Sequence, residues 1–361
     1  MDRALALAER ARGATGPNPA VGCVLARAGE IVGEGWTQPP GGPHAEVVAL
    51  RVAGAAAEGA TAYVTLEPCA HTGRTPPCAD ALRDAGVVRV VVATTDPNPE
   101  AAVGVAALRA AGVTVDVGLR GREARAQNEA FHRAAGGDRP HLTVKLAISL
   151  DGRVAAADGT SQWLTGPAAR AQAHRLRAEV DAVLVGSGTV LADDPRLTVR
   201  GQEPQAASQT QPLRVVIDRR ARTRADARVY DDAAPSLAIV GAGADAAHLG
   251  RAGVEVARLP AGGDDHADWH AALRILTVRE VRAVLLEGGA RLAATAMAAG
   301  CADRFAVHLA PVLLGDHARP ALAGLAVPTL DAAPRFALTG AATTGDDVVL
   351  TYSPGTTTKE T

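Results

Sequence analysis

One histidine and two cysteines constrain the fold of this chain more than any other feature. His44 stands in Pro43-His44-Ala45-Glu46, Cys69 in Glu67-Pro68-Cys69 and Cys78 in Pro76-Pro77-Cys78. An imidazole and two thiolates form a ligand set for zinc, so a fold that uses them must bring three separate segments onto one ion. Three protein ligands leave one tetrahedral position for water, as catalytic zinc requires, whereas structural zinc usually closes with four. Glu46 follows His44 by two positions. Its carboxylate is expected to reach such a water and shuttle protons rather than bind the metal.

The residues alone leave alternatives open. His-x-Glu occurs by chance, and Cys69 and Cys78 would also serve as buried thiols or as a loop disulfide. His71, just past Cys69, would complete a structural zinc site. Four cysteines in 361 residues, Cys23, Cys69, Cys78 and Cys301, are too sparse for a disulfide scaffold. Cys23 and Cys301 read as buried packing residues. The N-terminal amphipathic stretch is broken by Glu9, Arg10 and Arg12, unlike a signal peptide. No apolar run reaches membrane-spanning length. A cytoplasmic setting is expected, where thiols stay reduced and available to metal.

A net charge of -2, an isoelectric point near 6.6 and 2% aromatic residues offer neither the electrostatic footprint nor the stacking surfaces of a nucleic-acid binder. A small substrate is expected.

Strands alternate with helices through the first half, which argues for a layered α/β domain with a largely parallel sheet. His44 and Cys78 fall at helix starts and Cys69 just past a strand, and helix N-termini favour the thiolate. The Gly/Pro-containing stretch Ala134 to Pro140 marks the boundary between a domain over 1–137 and a second over 138–352, with a polar, disordered tail over 353–361. The second half again alternates strands with helices. Its segment Gly186 to Pro195 reads as a loop, and Gln202 to Gln211 as an exposed loop. The strand Val281 to Leu286 runs into Glu287-Gly288-Gly289 and a helix, a workable phosphate cradle. No Gly-x-Gly-x-x-Gly is present, so a plain tight turn is equally open.

Glu67-Pro68-Cys69-Ala70-His71-Thr72-Gly73-Arg74-Thr75-Pro76-Pro77-Cys78 resembles the deaminase domain of bifunctional riboflavin-biosynthesis proteins. So do Pro17-Asn18-Pro19-Ala20-Val21-Gly22-Cys23-Val24 and Asp96-Pro97-Asn98-Pro99. In the second half, Lys145 to Gly152, Ser161-Gln162-Trp163, Gly188 to Pro195 and Leu286-Glu287-Gly288-Gly289 are similar to the reductase domain of the same family. The resemblance implies a cytidine-deaminase-like three-layer α/β domain followed by a dihydrofolate-reductase-like α/β domain. It implies zinc-dependent hydrolytic deamination of a diaminopyrimidinone ribosyl phosphate, then NADPH-dependent reduction of the ribosyl side chain to ribityl.

Carried onto matching positions, the resemblance puts Zn2+ on His44, Cys69 and Cys78, with Glu46 as the proton carrier. Asn18, His71 and Arg74 would touch the pyrimidine substrate, and a guanidinium such as that of Arg74 forks well onto phosphate oxygens. In the reductase, Ser161, Arg177, Leu197, Arg200 and Glu287 would touch substrate. Ala147, Trp163, Thr189, Asp193 and the run Gly289, Ala290, Arg291, Leu292, Ala293, Ala294 and Thr295 would touch NADPH. Lys145 and Asp151 are candidates for polar roles near the sugar, or else a strand-end charge and a turn aspartate. Thr37 stands where family members often carry His, which puts one substrate contact in question. The expected partner is a phosphorylated pyrimidine, with no nucleic acid or membrane, and a homo-oligomer is expected. The alternative from another class is a nucleic-acid base deaminase with an RNA-binding second domain, for which RNA binding would weaken steeply with salt.

Overall fold

The computed structural model describes residues 1–70, 76–98, 101–137, 139–200 and 211–355. The chain divides into two compact units, Met1–Asp138 and Arg139–Thr361.

The first unit runs α1 (Asp2–Glu9), β1 (Gly22–Arg27), β2 (Glu30–Trp36), α2 (Ala45–Ala53), β3 (Thr61–Val64), α3 (Cys78–Asp84), β4 (Arg89–Val92), α4 (Gly104–Ala110), β5 (Thr114–Val117), α5 (Gly121–Gln127) and α6 (Glu129–Gly136). Its sheet order is β2-β1-β3-β4-β5. The sheet is mixed, which corrects the largely parallel expectation: β1 is antiparallel to both β2 and β3, and only β3, β4 and β5 are parallel. The reason is local. Ala28 and Gly29 both have positive φ, 52° and 87°, and close a two-residue hairpin that returns the chain beside β1. From β3 onward, α3 and α4 supply the crossovers that parallel strands need. Ala4 and Leu7 of α1 pack with Val24 on one face, while α2, α3 and α4 cover Cys23, Leu25, Val64, Val90 and Val92 on the other. Helix, sheet and helix make three layers. The last helix extends to Gly136, inside the stretch expected to be a break.

The second unit continues with β6 (His141–Ser149), β7 (Arg153–Ala155), α7 (Pro167–Ala178), β8 (Ala182–Gly186), α8 (Ser187–Asp193), β9 (Leu213–Ile217), β10 (Ser236–Val240), α9 (Ala247–Arg251), β11 (Glu255–Arg258), α10 (Asp265–Thr277), β12 (Ala283–Glu287), α11 (Ala290–Ala298), β13 (Arg304–Ala310), β14 (Arg319–Pro320), β15 (Phe336–Thr344) and β16 (Asp347–Pro354). The main sheet orders as β11-β10-β9-β8-β12-β6-β13-β16-β15. Its first seven strands are parallel, and β16 and β15 close it as an antiparallel hairpin.

The two faces of this sheet differ in chemistry. Leu142, Val144, Leu184, Leu286 and Phe305 pack against Trp269, Leu273 and Leu276 of α10 and Ala293 and Ala296 of α11. Alternation then turns Lys145, Glu287, Ala306 and His308 to the opposite face.

Three expectations for this unit need correction. Gly186 to Pro195 is largely the helix α8, entered from Gly186 and ended by Asp194 in the left-handed region, φ 41°. The helix α10 was not anticipated, although Asp264 caps it by accepting from the Ala267 amide at 2.8 Å. Ser353 and Pro354 belong to β16 rather than to the tail. Within the expected loop Gln202 to Gln211, only Gln211 lies among the described residues. Its side chain accepts from the Val199 amide at 2.8 Å and donates to the Val199 carbonyl at 3.3 Å. Among the described residues, no helix is long and apolar enough to cross a membrane.

Candidate active sites

In the first unit, His44 is the N-cap of α2, with extended backbone at φ -71° and ψ 164°. Cys78 is the first residue of α3, and Cys69 lies between β3 and α3. The Nδ1 of His44 stands 3.2 Å from the Cys78 sulfur and 3.6 Å from the Cys69 sulfur, and the Cys78 amide donates to Cys69 Sγ at 3.5 Å. All three ligand atoms lie within 4.8 Å of one another. One nitrogen and two sulfurs converging this closely fit a tetrahedral zinc with one position free.

Close packing holds these segments in place. Gly104, at the start of α4, passes so near Pro68 that a Cβ there would stand 1.7 Å from the Pro68 carbonyl oxygen. The buried Glu67 carboxylate accepts from the amides of Val105 at 2.8 Å and Asp96 at 3.2 Å. Glu67 and Gly104 thus fix the strand end on which Cys69 sits.

The electrostatics separate the roles. Glu46 is buried, and burial pushes its carboxyl up to about 7, with negative charge at Cys69 adding to the effect. The Cys78 thiol, followed by the His44 imidazole, stabilises the thiolate of Cys69 and brings it down to about 4. Cys78 is pushed up in turn, because it keeps its proton to donate a hydrogen bond to Cys69 and is itself buried. His44 is raised, chiefly by its contact with Cys69.

Thr37 is buried, and its hydroxyl accepts from the Val21 amide at 3.1 Å, so its role is to hold the entry strand. Asn18 is exposed in a turn closed by its amide donating to the Thr15 carbonyl at 2.7 Å. His71 and Arg74 lie outside the described residues. Sequence reasoning missed Asn128, whose side-chain amide bonds both backbone groups of Ala20, at 2.9 and 2.8 Å. It carries no periodic or motif signal.

In the second unit, Glu287 ends β12, directly across from Lys145 on β6. Arg177 of α7 donates to both Glu287 oxygens, at 2.5 and 2.8 Å, and to the Thr198 carbonyl at 3.0 Å. Burial works to raise the Glu287 carboxyl, but the charge and hydrogen bonds of Arg177, with Lys145, bring it below its ordinary value. Lys145 is lowered by burial, against the pull of Glu287. The exposed Arg200 is lowered by partial burial and by the neighbouring charges of Arg177, Arg228 and Arg196. Four guanidiniums gathered in one region suit a phosphate dianion.

Gly288 and Gly289 have φ of 74° and 81° and lead into α11. A Cβ on Gly288 would meet Thr189 Oγ1 at 3.2 Å, so α8 and the glycine turn close on one another. Of the expected cofactor run, Ala293 and Ala294 are buried, and Thr295 accepts from the Trp269 indole at 2.9 Å. Those three side chains serve the core. Trp163 is 70% exposed and lies under the Arg170 guanidinium, 4.6 Å from its ring centre. Ser161 is partly exposed nearby in sequence, Asp193 is exposed at the end of α8, and Leu197 is buried with φ 56°. Asp151 behaves as a turn aspartate: it accepts from Ser149 Oγ at 2.5 Å and from the Gly315 amide at 2.7 Å, which hold it down to about 2. Ala147 pairs across strands with His308, a residue that nothing in the apolar run Phe305 to Leu309 had flagged.

Comparison with known proteins agrees with both halves. Residues 1–94 match the cytidine and deoxycytidylate deaminase zinc-binding region, and residues 140–350 match the RibD C-terminal domain. The chain is 42% identical to the riboflavin biosynthesis protein RibD of Escherichia coli over 97% of each sequence. It is 43% identical to RibD of Mycobacterium tuberculosis, over 87% of this chain and 86% of that one. Among solved structures, Acinetobacter baumannii RibD superposes with a TM-score of 0.85 at 38% identity, covering 98% of both chains. The Thermotoga maritima diaminohydroxyphosphoribosylaminopyrimidine deaminase/5-amino-6-(5-phosphoribosylamino)uracil reductase gives a TM-score of 0.85 at 32% identity, over 98% of this chain and 97% of that one. With such identity sustained across both units, the chain belongs to the RibD family of bifunctional riboflavin-biosynthesis deaminase-reductases.

Proposed function

We propose that the unit Met1–Asp138 deaminates 2,5-diamino-6-(5-phosphoribosylamino)pyrimidin-4(3H)-one and that the unit Arg139–Thr361 then reduces its ribosyl side chain, giving 5-amino-6-(5-phosphoribitylamino)uracil. The observation that carries the reading is the convergence of His44, Cys69 and Cys78 beside the buried carboxyl of Glu46. Zinc held by those three side chains supplies a Lewis acid that activates water. Glu46 takes one proton from the attacking water to the ring nitrogen and then carries the second to the departing amine, which leaves as ammonia.

Bound NADPH would supply the hydride that C1′ of the ribose takes up. As the bond from C1′ to the ring oxygen breaks, that oxygen needs a proton, and Lys145 gives it. Burial beside Arg177 makes the ammonium a readier donor, while Glu287 keeps it charged until reaction. Arg177 and Arg200 bind the ribose phosphate, and Glu287 orients Arg177. The turn at Gly288 and Gly289, with Thr189, would hold the cofactor's phosphates at the N-terminus of α11. We also propose a cytoplasmic homo-oligomer. Its support is the edge strand β15, mostly exposed and carrying Leu338 at 57% exposure, and sedimentation of the purified protein tests it.

Incubating purified protein with the diaminopyrimidinone ribosyl phosphate, followed by mass spectrometry, tests the whole reading. Amino-for-oxygen exchange without NADPH, then a gain of two hydrogens with it, is the expected result. No mass change in either condition overturns it.

A further inference from the structure

We propose that His308 is a positioning residue for the reductase, a neutral hydrogen-bond acceptor that holds the Lys145 amine toward the sugar. The proposal rests on the reading of Lys145 as proton donor. Lys145 lies on β6 between β12 and β13. On the β12 side its cross-strand partner is Glu287. On the β13 side its partner is Ala306, whose methyl group fills little space, and the next residue on that face is His308. Diagonal neighbours of this kind are roughly 7–8 Å apart at the backbone, within reach of a long side chain and a ring.

The two side chains complement each other. An ammonium has three protons to place. Both oxygens of Glu287 accept from Arg177, so that carboxylate offsets the charge of Lys145 while its hydrogen bonding is directed elsewhere. His308 is fully buried, and neither of its ring nitrogens has a hydrogen-bond partner. Buried polar atoms are nearly always satisfied, so two unsatisfied nitrogens on the reactive face of the sheet need an explanation. The Ala169 backbone on α7 is the nearest acceptor for one ring N–H, which leaves the other nitrogen's lone pair to accept, and Val349 pairs with His308 from β16. The charged and titratable groups around the Lys145–His308 pair are Glu287 on β12 and Arg177 and His174 on α7. Burial, then the charge of Lys145, keeps His308 neutral down to about 4. A neutral imidazole has one lone pair to offer, directly or through one buried water, and an ammonium is the donor that fits it.

The test follows reduction of the deaminated intermediate by the full-length enzyme across pH, with NADP+ binding followed by quenching of tryptophan fluorescence. His308→Phe keeps the bulk of the ring and removes both nitrogens, and His308→Leu does so in a smaller volume. His308→Gln restores an acceptor. Losing the acceptor makes the ammonium easier to deprotonate. In the Phe and Leu variants the alkaline limb of kcat/KM should therefore move down by about one pH unit, a tenfold change in proton affinity. The Gln variant should return it toward wild type, with NADP+ affinity and deamination unchanged in all three. A limb that coincides with wild type in whichever apolar variant folds, or an equal shift in the Gln variant, overturns the proposal. Lys145→Met separates the two claims. Full reductase activity in that variant sinks the reading of Lys145 itself, whereas an inactive Lys145→Met alongside an unmoved limb in the His308 variants sinks only the role of His308.

Discussion

The Arg177 guanidinium grips both oxygens of Glu287, at 2.5 and 2.8 Å, with only 13% and 11% of the two side chains exposed. This ion pair ties α7 to the end of β12. Removing one partner strands a buried charge. Arg177→Ala should therefore destabilise the unit Arg139–Thr361 by about 3–5 kcal/mol, since the buried carboxylate loses both of its hydrogen bonds from Arg177. Urea unfolding measures this, and a loss below about 1 kcal/mol would show that solvent reaches the pair.

Glu46→Gln should abolish deamination, with kcat falling by roughly 10²–10⁴-fold, while the zinc content stays at wild-type level. Metal analysis of the variant, with deamination followed by ammonia release, checks both. Loss of the metal along with the activity would mean that Glu46 is a ligand or a support for one.

Metal removal should divide the two activities. After treatment with a chelator, deamination should stop, while NADPH-dependent reduction of the already deaminated intermediate continues. The three ligands all belong to the unit Met1–Asp138. Equal loss of both rates after chelation would contradict independent sites.

Gly104→Ala places a methyl group where the Pro68 carbonyl oxygen lies, 1.7 Å from an ideal Cβ. Backbone cannot yield there as a flexible side chain would. The strand end bearing Cys69 should shift, lowering zinc affinity and costing roughly 1–3 kcal/mol of stability. Competition with a metal-binding dye reads the first effect and thermal unfolding the second.

Acid should weaken both units in one pH window. His132 and His308 are each pushed down to about 4, mainly by burial, against near 6.5 for an unfolded histidine. Between those values the unfolded chain binds more protons than the folded one, so stability falls as pH drops from about 6.5 to about 4. His308→Phe should flatten this dependence in the unit Arg139–Thr361. Urea midpoints at pH 7 and pH 5 for wild type and variant make the comparison, and parallel losses would assign the acid sensitivity to other groups.

Much of this was legible in the chain because chemistry-bearing residues sit at element boundaries. His44, Cys69 and Cys78 declared themselves by residue type and by flanking prolines, and the apolar strands from Leu142 onward by their runs of Val, Leu and Ile. What stayed hidden was long-range pairing. The turn at Ala28 and Gly29 between two short strands is legible in the sequence, but that β1 then lies between β2 and β3, antiparallel to both, is not, because nothing local marks a strand's second neighbour. The strand β15 reads Phe-Ala-Leu-Thr-Gly-Ala-Ala-Thr-Thr, too polar and small to stand out, because an edge strand with one neighbour buries little. His308 hid inside an apolar strand, where period-2 alternation shows which face a residue takes but not which charge lies diagonally across from it. The register sets Lys145 beside Glu287, and two hydrogen bonds join Arg177 of α7 to the same carboxylate, a grouping that residue types alone do not reveal.

The pair of sulfurs has a consequence for handling the protein. The Cys69 thiol is brought down by its contacts with Cys78 and His44, and the Cys78 amide donates to the same sulfur. A thiolate beside a second cysteine is the starting arrangement for oxidation to a disulfide. A metal held by His44, Cys69 and Cys78 would engage both sulfurs and guard them. Once stripped, the deaminase half is exposed to air in a way the reductase half is not, since its own cysteine, Cys301, is buried and has no second cysteine in its unit. Ageing of a purified stock without reductant should therefore silence one activity long before the other.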